Sequence, residues 1–335
     1  MTYHDRQEAL ASQGIDVTII IVNWNSSQYL KACLSSIYDN VKGVIFEVIV
    51  VDNASYDGSA DLVSKEFPST VFIQSDSNLG FARANNLMYR QSRGQMILFL
   101  NPDTKLLDDA VTIMYRHLKR SPSVGAVSCR VLNSDLSPQT YHLQTFPALC
   151  NKVFEAEILK RLFSFWNAVK TKYNCSISTG VDVITASCLM VSRVAFEEVG
   201  LFDERYWLYG EDLQLCYDLT KTGYSVEHID QGTVVHHGGA SLASIGMLEI
   251  SAVMECEAIA TFFRRTRGSC YTAVYRTFIG ASAVVRLVLL LFAMMGVDVL
   301  FDRTRLSFAR RKWSTILCWS IGASRTSQIT RCSRC

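Results

Sequence analysis

Acidic and amide side chains follow four apolar segments in the first third of the chain. Asn23 follows VTIIIV, Asp52 follows FEVIVV, Asn78 comes shortly after TVFIQ, and Asp103 comes after QMILFL within the triplet Asn-Pro-Asp. A carboxylate at the carboxyl end of a strand can hold a hard divalent cation together with phosphate oxygens. Asx residues also cap helices and form turns, so the pattern alone leaves a purely structural interpretation open.

A second group of chemically active side chains lies later in the chain. Glu211 and Asp212 are adjacent acids where a helical pattern begins, and His236 ends an apolar run in the sequence VVHHGG. Taken singly, acids favour helix N-termini and a histidine at a strand end is often structural. Taken with the acids at the strand ends, they indicate one carboxylate acting as a general base and one histidine completing a metal shell.

Apolar segments alternate with amphipathic ones, which predicts an α/β fold. The β-branched, continuous character of five segments predicts buried strands at 17–22, 46–51, 70–74, 95–100 and 124–132. Repeated strand–helix–strand units imply a mostly parallel sheet with helices on both faces. Ligands bind outside the carboxyl ends of the strands in such sheets, so the strand-end side chains should meet at one edge.

The second half of the chain is less regular. The chain as a whole contains no Gly-rich phosphate-binding motif, so metal and scattered donors would have to hold any phosphates. The residue patterns predict a helix over 152–166, one strand over 181–192, a helix over 211–223 and two short strands ending at His236.

Composition and charge exclude some classes of protein. With 335 residues, 49% hydrophobic and 19% charged, the chain is neither disordered nor collagen-like. Its charge is uneven: residues 255–335 hold 13 Lys and Arg against 4 Asp and Glu, whereas residues 1–254 hold 20 against 27. The 11 scattered cysteines and the absence of an apolar N-terminal stretch predict a cytoplasmic location.

The basic tail also contains a long apolar segment. Residues 276–300 are nearly all apolar but include Arg286, and the uninterrupted part has 11 residues, whereas a spanning helix needs about 20. We therefore predict that residues 264–312 bind an anionic membrane surface at the inner face of the cell membrane. A helical hairpin packed on the rest of the protein or on another subunit is the alternative. The apolar run argues against a nucleic-acid partner.

These patterns divide the chain into three parts. The predicted parts are an N-terminal extension (1–15), a catalytic domain (16–250) and a C-terminal helical, membrane-associated region (251–335). The catalytic domain would comprise a nucleotide-binding half at about 16–130 and an acceptor half at about 131–250.

The chain resembles the family-2 nucleotide-sugar glycosyltransferases, which are inverting enzymes with a GT-A fold. The resemblance covers about residues 17–245, and six segments carry it in order: IIIVNWNSSQYLKACLSSI, VIVVDNASYDGS, NLGFARANN, LFLNPDT, FEEVGLFDERYWLYGEDLQLC and VVHHGGAS. The NPD, YGED and HHGG elements are most similar to those of the rhamnosyltransferase-like branch. The fold implied is a GT-A, Rossmann-like sheet with an apolar and basic helical appendage at its C-terminus.

The resemblance implies roles for nine residues. Asp212 would be the general base that deprotonates the acceptor hydroxyl, and Glu211 would orient it or touch the acceptor. Asp103 and His236 would hold Mn²⁺ or Mg²⁺. The nucleotide-sugar donor would be bound by Asn23, Asp52, Asn78, Arg83 and Asn85.

The resemblance implies transfer of a sugar, L-rhamnose from dTDP-rhamnose, to a lipid-linked or other saccharide acceptor in cell-surface polysaccharide synthesis. Gln214 and Asp218 depart from the family pattern, which has an acid and an arginine there. The departure leaves open a catalytically inactive binding subunit. A nucleotidyltransferase would need a Gly-rich basic loop, and VNWNSSQYL is not one.

Overall fold

A computed structural model describes residues 14–139, 142–149, 179–238, 248–296 and 303–323. The described residues fall into two compact units. The sheet unit draws on 1–146, 175–207 and 211–241, and the helical unit draws on 147–174, 208–210 and 242–335. The predicted helix over 152–166 lies outside the described residues.

Strands and helices alternate in the first part of the sheet unit, and the five predicted strands are confirmed. The elements are β1 (Val17–Asn23), α1 (Ser27–Asn40), β2 (Phe46–Asp52), α2 (Ser59–Glu66), β3 (Val71–Gln74), α3 (Phe81–Tyr89), β4 (Met96–Leu100), β5 (Thr104–Leu106), α4 (Ala110–Arg120) and β6 (Val124–Leu132).

The later part of the sheet unit corrects two predictions. Its elements are β7 (Leu143–Gln144), β8 (Thr179–Gly180), β9 (Val183–Ile184), β10 (Cys188–Ser192), α5 (Arg193–Glu198), α6 (Glu211–Lys221) and β11 (Ser225–His236). The single strand predicted over 181–192 is wrong, because residues 185–187 leave the ladder and separate β9 from β10. The two short strands predicted before His236 are one strand, β11, whose register with β6 shifts between His228 and Thr233.

Nine of the described strands form one mixed sheet in the order β3-β2-β1-β4-β10-β6-β11-β5, with β8 paired to β11. The first four strands of this order are parallel to one another, and β10 runs antiparallel to both β4 and β6. The chain order reverses direction at β1, between β2 and β4. A crevice at such a switch point is where ligands bind in open α/β sheets.

Alternate side chains of the central strands bury two cores, one on each face of the sheet. On one face, Ile19 and Ile21 of β1 belong to a core that also contains residues of α1, α2 and α4. On the other face Phe99 of β4 contacts Phe196 and Phe202, with ring centroids 5.2 and 4.6 Å apart. This packing confirms helices on both faces and holds the strand ends that carry the polar residues.

One glycine permits a close approach beside that edge. Gly80 precedes α3 with φ 78° and ψ 177°, a conformation almost restricted to glycine. A Cβ at this position would lie 2.4 Å from the backbone oxygen of Trp207, which also accepts a hydrogen bond from Phe81 N at 2.8 Å. The loop before α3 can therefore sit against the Trp207 backbone only if residue 80 has no side chain.

The helical unit contains α7 (Leu248–Arg267), α8 (Ser269–Gly296) and α9 (Arg303–Ser320). Among the described helices, α8 is long and apolar enough between Ser269 and Phe292 to cross a membrane, by length and composition. Core helices of soluble proteins can meet the same criterion. In the sequence, Arg286 interrupts the apolar run. In the structure, its guanidinium lies 4.1 Å from the centroid of the Trp313 ring of α9. The apolar character of α8 therefore extends past this arginine.

We expect Gly80→Ala to lower the free energy of unfolding by about 3 kcal/mol, because it adds a steric clash to an unfavourable backbone conformation. Gly58→Ala is the matched control: Gly58 has φ +82°, and a Cβ there would meet nothing within 4 Å. It should cost about 1 kcal/mol for the left-handed backbone alone. Urea unfolding of both variants measures the difference, and equal losses would contradict the proposed contact with Trp207.

Candidate active site

Asp52 is the centre of a buried hydrogen-bond cluster at the carboxyl ends of β1, β2 and β3. It has no exposed surface. Its Oδ2 accepts a hydrogen bond from Asn23 Nδ2, and its Oδ1 accepts from Ser55 N and Gln74 Nε2, each at 2.7 Å. The Asn23 amide nitrogen also donates to Ser59 Oγ at 2.9 Å. One carboxylate therefore joins three strand ends to the start of α2.

The backbone beside this cluster is strained, and one acceptor in it is unused. Asn25 and Ala54 have left-handed backbones, with φ 48° and 61°. This conformation costs about 1–2 kcal/mol for a residue with a Cβ, and such strain concentrates at functional sites. The buried Oδ1 of Asn23 has no hydrogen-bond partner among the described residues. A buried acceptor of this kind suits a ligand N–H or O–H.

The other three predicted donor-binding residues lie on the loop before α3 and on α3 itself. Asn78 Oδ1 accepts from Gly80 N at 2.9 Å and shapes the loop. Asn85 is fully buried; its amide nitrogen donates to Phe81 O at 3.0 Å, whereas its Oδ1 has no partner in the part of the chain described. Arg83 is exposed.

Arg83 lines a cleft of about 440 Å³ between β3 and α3. A second cation, Arg90, lines the same cleft, as does Gln74. Because Gln74 also donates to Asp52, the cleft adjoins the buried carboxylate cluster. Two carboxylates, of Asp76 and Glu204, line the cleft with these two guanidinium groups.

Asp103 and His236 lie side by side at the ends of the central strands. Asp103 Oδ1 is 3.3 Å from His236 Nε2, and both side chains are more than nine-tenths buried. His236 Nδ1 lies 2.8 Å from Gln139 Oε1, and an amide oxygen can only accept, so Nδ1 carries the proton. Asn101 Nδ2 lies 3.3 Å from His236 Nε2, which it can supply with a hydrogen bond. His236 Nε2 therefore faces both the Asn101 amide and the Asp103 carboxylate.

This donor set fits a divalent cation. A carboxylate oxygen and an imidazole nitrogen converge, and Gln139 is the kind of outer partner that orients a metal-bound histidine. Within the described ranges, no three or more His, Cys, Asp or Glu side chains form a group that could hold a metal ion. Mg²⁺ and Mn²⁺ are commonly held by few protein groups together with substrate phosphates and water. A nucleoside diphosphate would thus complete the shell.

Glu211 and Asp212 open α6 in different environments. Asp212 Oδ2 accepts from Ala186 N at 3.1 Å, and its Oδ1 accepts from Leu213 N at 2.7 Å. Burial raises the pKa of Asp212, and these backbone N–H groups oppose the rise. Burial and the neighbouring Asp212 charge raise the pKa of Glu211 well above its usual value. Glu211 Oε2 is also buried without a partner among the described residues. Asp212 is therefore the acid of the pair that ionises first.

The segment 185–187, which interrupts the predicted strand, connects these groups. Ala186 N donates to Asp212, as above, and Ser187 O accepts from Asn101 N at 3.1 Å. Thr185 Oγ1 lies 2.7 Å from the Nδ1 of the buried His142. The two predicted catalytic groups, the acid of α6 and the metal pair, are thus linked through three consecutive residues.

His142 connects residues 185–187 to β6 through hydrogen bonds. Its Nε2 lies 2.7 Å from Ser128 Oγ, and Ser128 Oγ donates to Cys188 O at 2.6 Å. Burial, together with the charges of His228 and His236, lowers the pKa of His142 to about 3. The ring is therefore neutral at physiological pH and acts as a hydrogen-bonding strut.

The two residues that depart from the family pattern form a hydrogen-bonded pair. Gln214 Nε2 donates to Asp218 Oδ1 at 3.0 Å, across one turn of α6. Gln214 Oε1 accepts from Tyr206 Oη at 3.1 Å, and the side chain is 1% exposed. The Gln214 amide thus hydrogen-bonds both Tyr206 and Asp218, and α6 keeps a hydrogen-bonded pair at the two positions that depart from the family pattern.

The structure places five of the nine predicted residues in two sets. Asn23 meets Asp52, Asp103 meets His236, and Asp212 joins the second set through residues 185–187. Arg83 lies apart in its cleft. The sequence missed Gln139 and His142, because a Gln and a His in a polar loop are common; the one hint was their position soon after the carboxyl end of β6.

The fold matches that of a solved structure, the mannosyltransferase PcManGT from Pyrobaculum calidifontis in complex with GDP-Man and Mn²⁺. The TM-score is 0.55 at 16% identity, and the match covers 95% of this chain and 92% of that one. This likeness confirms the GT-A, Rossmann-like fold. The chain therefore has the mixed, mostly parallel sheet and flanking helices of the GT-A class.

The sequence model of the family Glycosyl transferase family 2 matches residues 18–200, and the chain belongs to that family. It is 26% identical over 227 residues to the low-salt glycan biosynthesis hexosyltransferase Agl10 of Haloferax volcanii, covering 66% of this chain and 67% of that protein. It is 27% identical over 237 residues to the N-acetylglucosaminyl-diphospho-decaprenol L-rhamnosyltransferase of Mycobacterium tuberculosis, covering 65% and 75%.

We expect His142 to make folding stability fall on acidification. The folded pKa is about 3, whereas an unfolded histidine titrates near about 6.5. Between these values the unfolded state binds the extra proton, so the stability contributed by neutral His142 is complete above the unfolded pKa and is lost as pH falls. The slope of unfolding free energy against pH should exceed that of His142→Gln by up to about 1.4 kcal/mol per pH unit.

Urea unfolding at a series of pH values from about 4.5 to 7 measures both slopes. His237→Gln, which removes an exposed histidine, checks that the change is specific to position 142. Parallel curves for the wild type and His142→Gln would contradict a neutral, buried His142.

Proposed function

We propose that the protein transfers L-rhamnose with inversion from dTDP-rhamnose to a polyprenyl-diphosphate-linked saccharide in cell-surface polysaccharide synthesis. The buried Asp103–His236 pair, linked to Asp212 through residues 185–187, is the observation that carries this proposal. The mycobacterial relative is an L-rhamnosyltransferase that acts on N-acetylglucosaminyl-diphospho-decaprenol, which supports the donor sugar and the acceptor class. The hexosyltransferase relative supports transfer of a hexose.

The donor would bind across the carboxyl edge of β1 to β4. Asn23 offers an unused buried oxygen to the nucleotide, and Asp52 holds Asn23 in place. Asn78 and Asn85 belong to the loop and helix that border the cleft, and Arg83 supplies positive charge for the sugar or the diphosphate. No Gly-rich loop is needed when these groups act from separate strand ends.

Asp103 and His236 would hold Mn²⁺ or Mg²⁺, and the histidine ligand favours Mn²⁺ slightly. The cation supplies positive charge for the departing nucleoside diphosphate. Gln139 would hold the Nδ1–H of this histidine and so orient its Nε2 toward the cation. Asn101 steadies the same ring from the other side.

Asp212 would act as the general base. Its carboxylate takes the proton of the acceptor hydroxyl while that oxygen forms a bond to the anomeric carbon. The bond from the anomeric carbon to the diphosphate oxygen breaks on the opposite face, so the configuration inverts. Glu211, whose pKa lies well above that of an exposed carboxyl, would stay protonated and orient Asp212 or touch the acceptor.

The proposed place of action is the inner face of the cell membrane. A polyprenyl-linked acceptor is presented there, and nucleotide sugars are cytoplasmic substrates. The basic and apolar helical unit supports this location through its composition.

A binding screen tests the donor first. Purified protein is titrated by calorimetry with dTDP-rhamnose, other dTDP-sugars and UDP-sugars, each with Mn²⁺ and with EDTA. We expect metal-dependent binding of dTDP-rhamnose in preference to the others. Equal binding with EDTA would overturn the role of Asp103 and His236, and preference for a UDP-sugar would overturn the proposed donor.

We expect Asp212→Asn to reduce kcat for transfer by at least about 10³-fold, because the amide cannot accept the proton. Donor binding by calorimetry should be unchanged, since the Asp212 carboxylate accepts hydrogen bonds from the backbone N–H groups of residues 186 and 213 and lies outside the proposed donor-binding set. Asp61→Asn, on the exposed first turn of α2, is the matched control. Retention of full activity by Asp212→Asn would refute the base assignment.

The raised pKa of Asp212 predicts the pH profile of the same reaction. The base must be ionised, so kcat/KM should fall as pH decreases through a pKa higher than that of an exposed aspartate. A kcat/KM that stays constant down to the pH range in which an exposed aspartate titrates would contradict a raised pKa for the catalytic base.

We expect Gln139→Leu to weaken Mn²⁺ binding in the presence of nucleoside diphosphate by about 10- to 100-fold, because His236 loses the partner that fixes its tautomer. Calorimetric titration with Mn²⁺ measures this directly. Gln91→Leu, an exposed glutamine, serves as the control. Unchanged Mn²⁺ affinity would show that Gln139 does not support a metal ligand.

A further inference from the structure

One face of α8 is an exposed apolar strip. Its exposed positions from 273 to 292 carry only Ala, Val, Leu, Phe or Thr. The exposed fraction rises from 43% at Val274 to 67% at Phe292, with Phe278, Val285 and Leu289 between them. The strip is about 27 Å long at the α-helical rise per residue. A patch of this kind on a protein surface marks an interaction site.

The other face of α8 packs against α7 and α9 and holds its charges. Arg276 lies with its guanidinium 4.5 Å from the centroid of the Trp319 ring, and Arg286 lies 4.1 Å from that of Trp313. Tyr275 contacts the Phe263 ring of α7 at 5.2 Å. Both arginines of the apolar helix therefore point at neighbouring helices, and the exposed strip carries no charge.

The pairing of α8 with α9 fixes the level of further arginines. Residue 276 meets 319 and residue 286 meets 313, so the two helices run antiparallel. Continuing this pairing places the exposed Arg310 and Arg311 level with about residue 288 of α8. If α8 crossed the membrane, Arg310 and Arg311 of the adjoining α9 would therefore also lie in the hydrocarbon. Burying two charges there is costly. The arrangement disfavours a transmembrane span.

The charge of the region matches an anionic lipid surface. Residues 255–335 hold 13 basic and 4 acidic side chains. At the end of α7, Arg264, Arg265 and Arg267 are exposed, as Arg310 and Arg311 are on α9. An apolar strip with exposed arginines on the adjoining helices is typical of a helix that lies in the membrane interface.

We propose that α8 is an in-plane membrane anchor. Its apolar strip lies among the acyl chains of one leaflet, parallel to the surface, and the arginines of α7 and α9 contact the headgroup phosphates of anionic phospholipids. The proposal deepens the proposed function, because it brings the enzyme to the surface that presents a lipid-linked acceptor. Its evidence comes from the helical unit alone.

Flotation with vesicles tests the binding. The full-length protein should bind vesicles of equimolar phosphatidylcholine and phosphatidylglycerol much better than vesicles of phosphatidylcholine alone. Val285→Asp should abolish binding, whereas Val194→Asp, which alters an even more exposed valine of α5, should not. Replacing Arg310 and Arg311 by Gln should weaken binding by about five-fold each, and the Lys65→Gln control should have little effect.

Depth measurements separate the in-plane position from a span. A fluorescent amino acid is placed at 274, 285 or 292 and quenched by lipids brominated at defined acyl depths. Equal, shallow depths support the anchor. A deep residue 285 between shallow residues 274 and 292 would show a span and overturn it. Absence of vesicle binding would also overturn the anchor, whether the protein sediments as a monomer or as a dimer.

Donor binding keeps this test separate from the catalytic proposal. Val285→Asp should bind dTDP-rhamnose and Mn²⁺ like the wild type. If vesicle binding fails while donor binding is normal, only the anchor is refuted. If vesicles bind while no nucleotide sugar does, only the proposed function is refuted.

Discussion

The hydrogen bonds to the buried Asp52 carboxylate are the constraint on which the site depends. A carboxylate with no exposed surface is stable only when its oxygens are bonded, and here the donors come from three different strand ends. Moving any one of these strands would leave a buried charge partly unpaired. The relative positions of β1, β2 and β3 are therefore fixed by an energetic penalty as well as by the apolar packing below, and Asn23 keeps one oxygen free for a ligand.

A second constraint works on the other side of the switch point. The antiparallel strand β10 is preceded by residues 185–187, whose backbone bonds to Asp212 and to Asn101 and whose hydroxyls bond to the neutral His142. The acid of α6 and the Asp103–His236 pair thus share one rigid support. The proposed mechanism of proton removal and charge neutralisation requires these groups to keep a constant relation, and this three-residue segment with its polar anchors would provide it.

Strand positions and strand-end residues were predictable from sequence, because apolar runs and the residues that follow them are local features. Asp103 and His236 were predicted separately and meet in the structure. Gln139, His142 and the break at 185–187 were not predictable, because they depend on which loop crosses which strand. Arg286 misled the interpretation, since a linear count of apolar residues ignores which side of a helix a charge occupies. The split of one expected strand shows the same limit, because polar bonding to His142 outweighed the strand propensity of the segment.

The inversion of polarity in α8, with arginines turned inward and apolar side chains outward, has a consequence for biosynthesis. The helix follows the whole sheet unit along the chain, so the catalytic part can leave the ribosome and fold before the apolar strip emerges. Until the exposed apolar strip binds a membrane or another apolar surface, it is prone to self-association. Recovery of intact protein from cells should accordingly depend on detergent or lipid more than on the stability of the catalytic sheet.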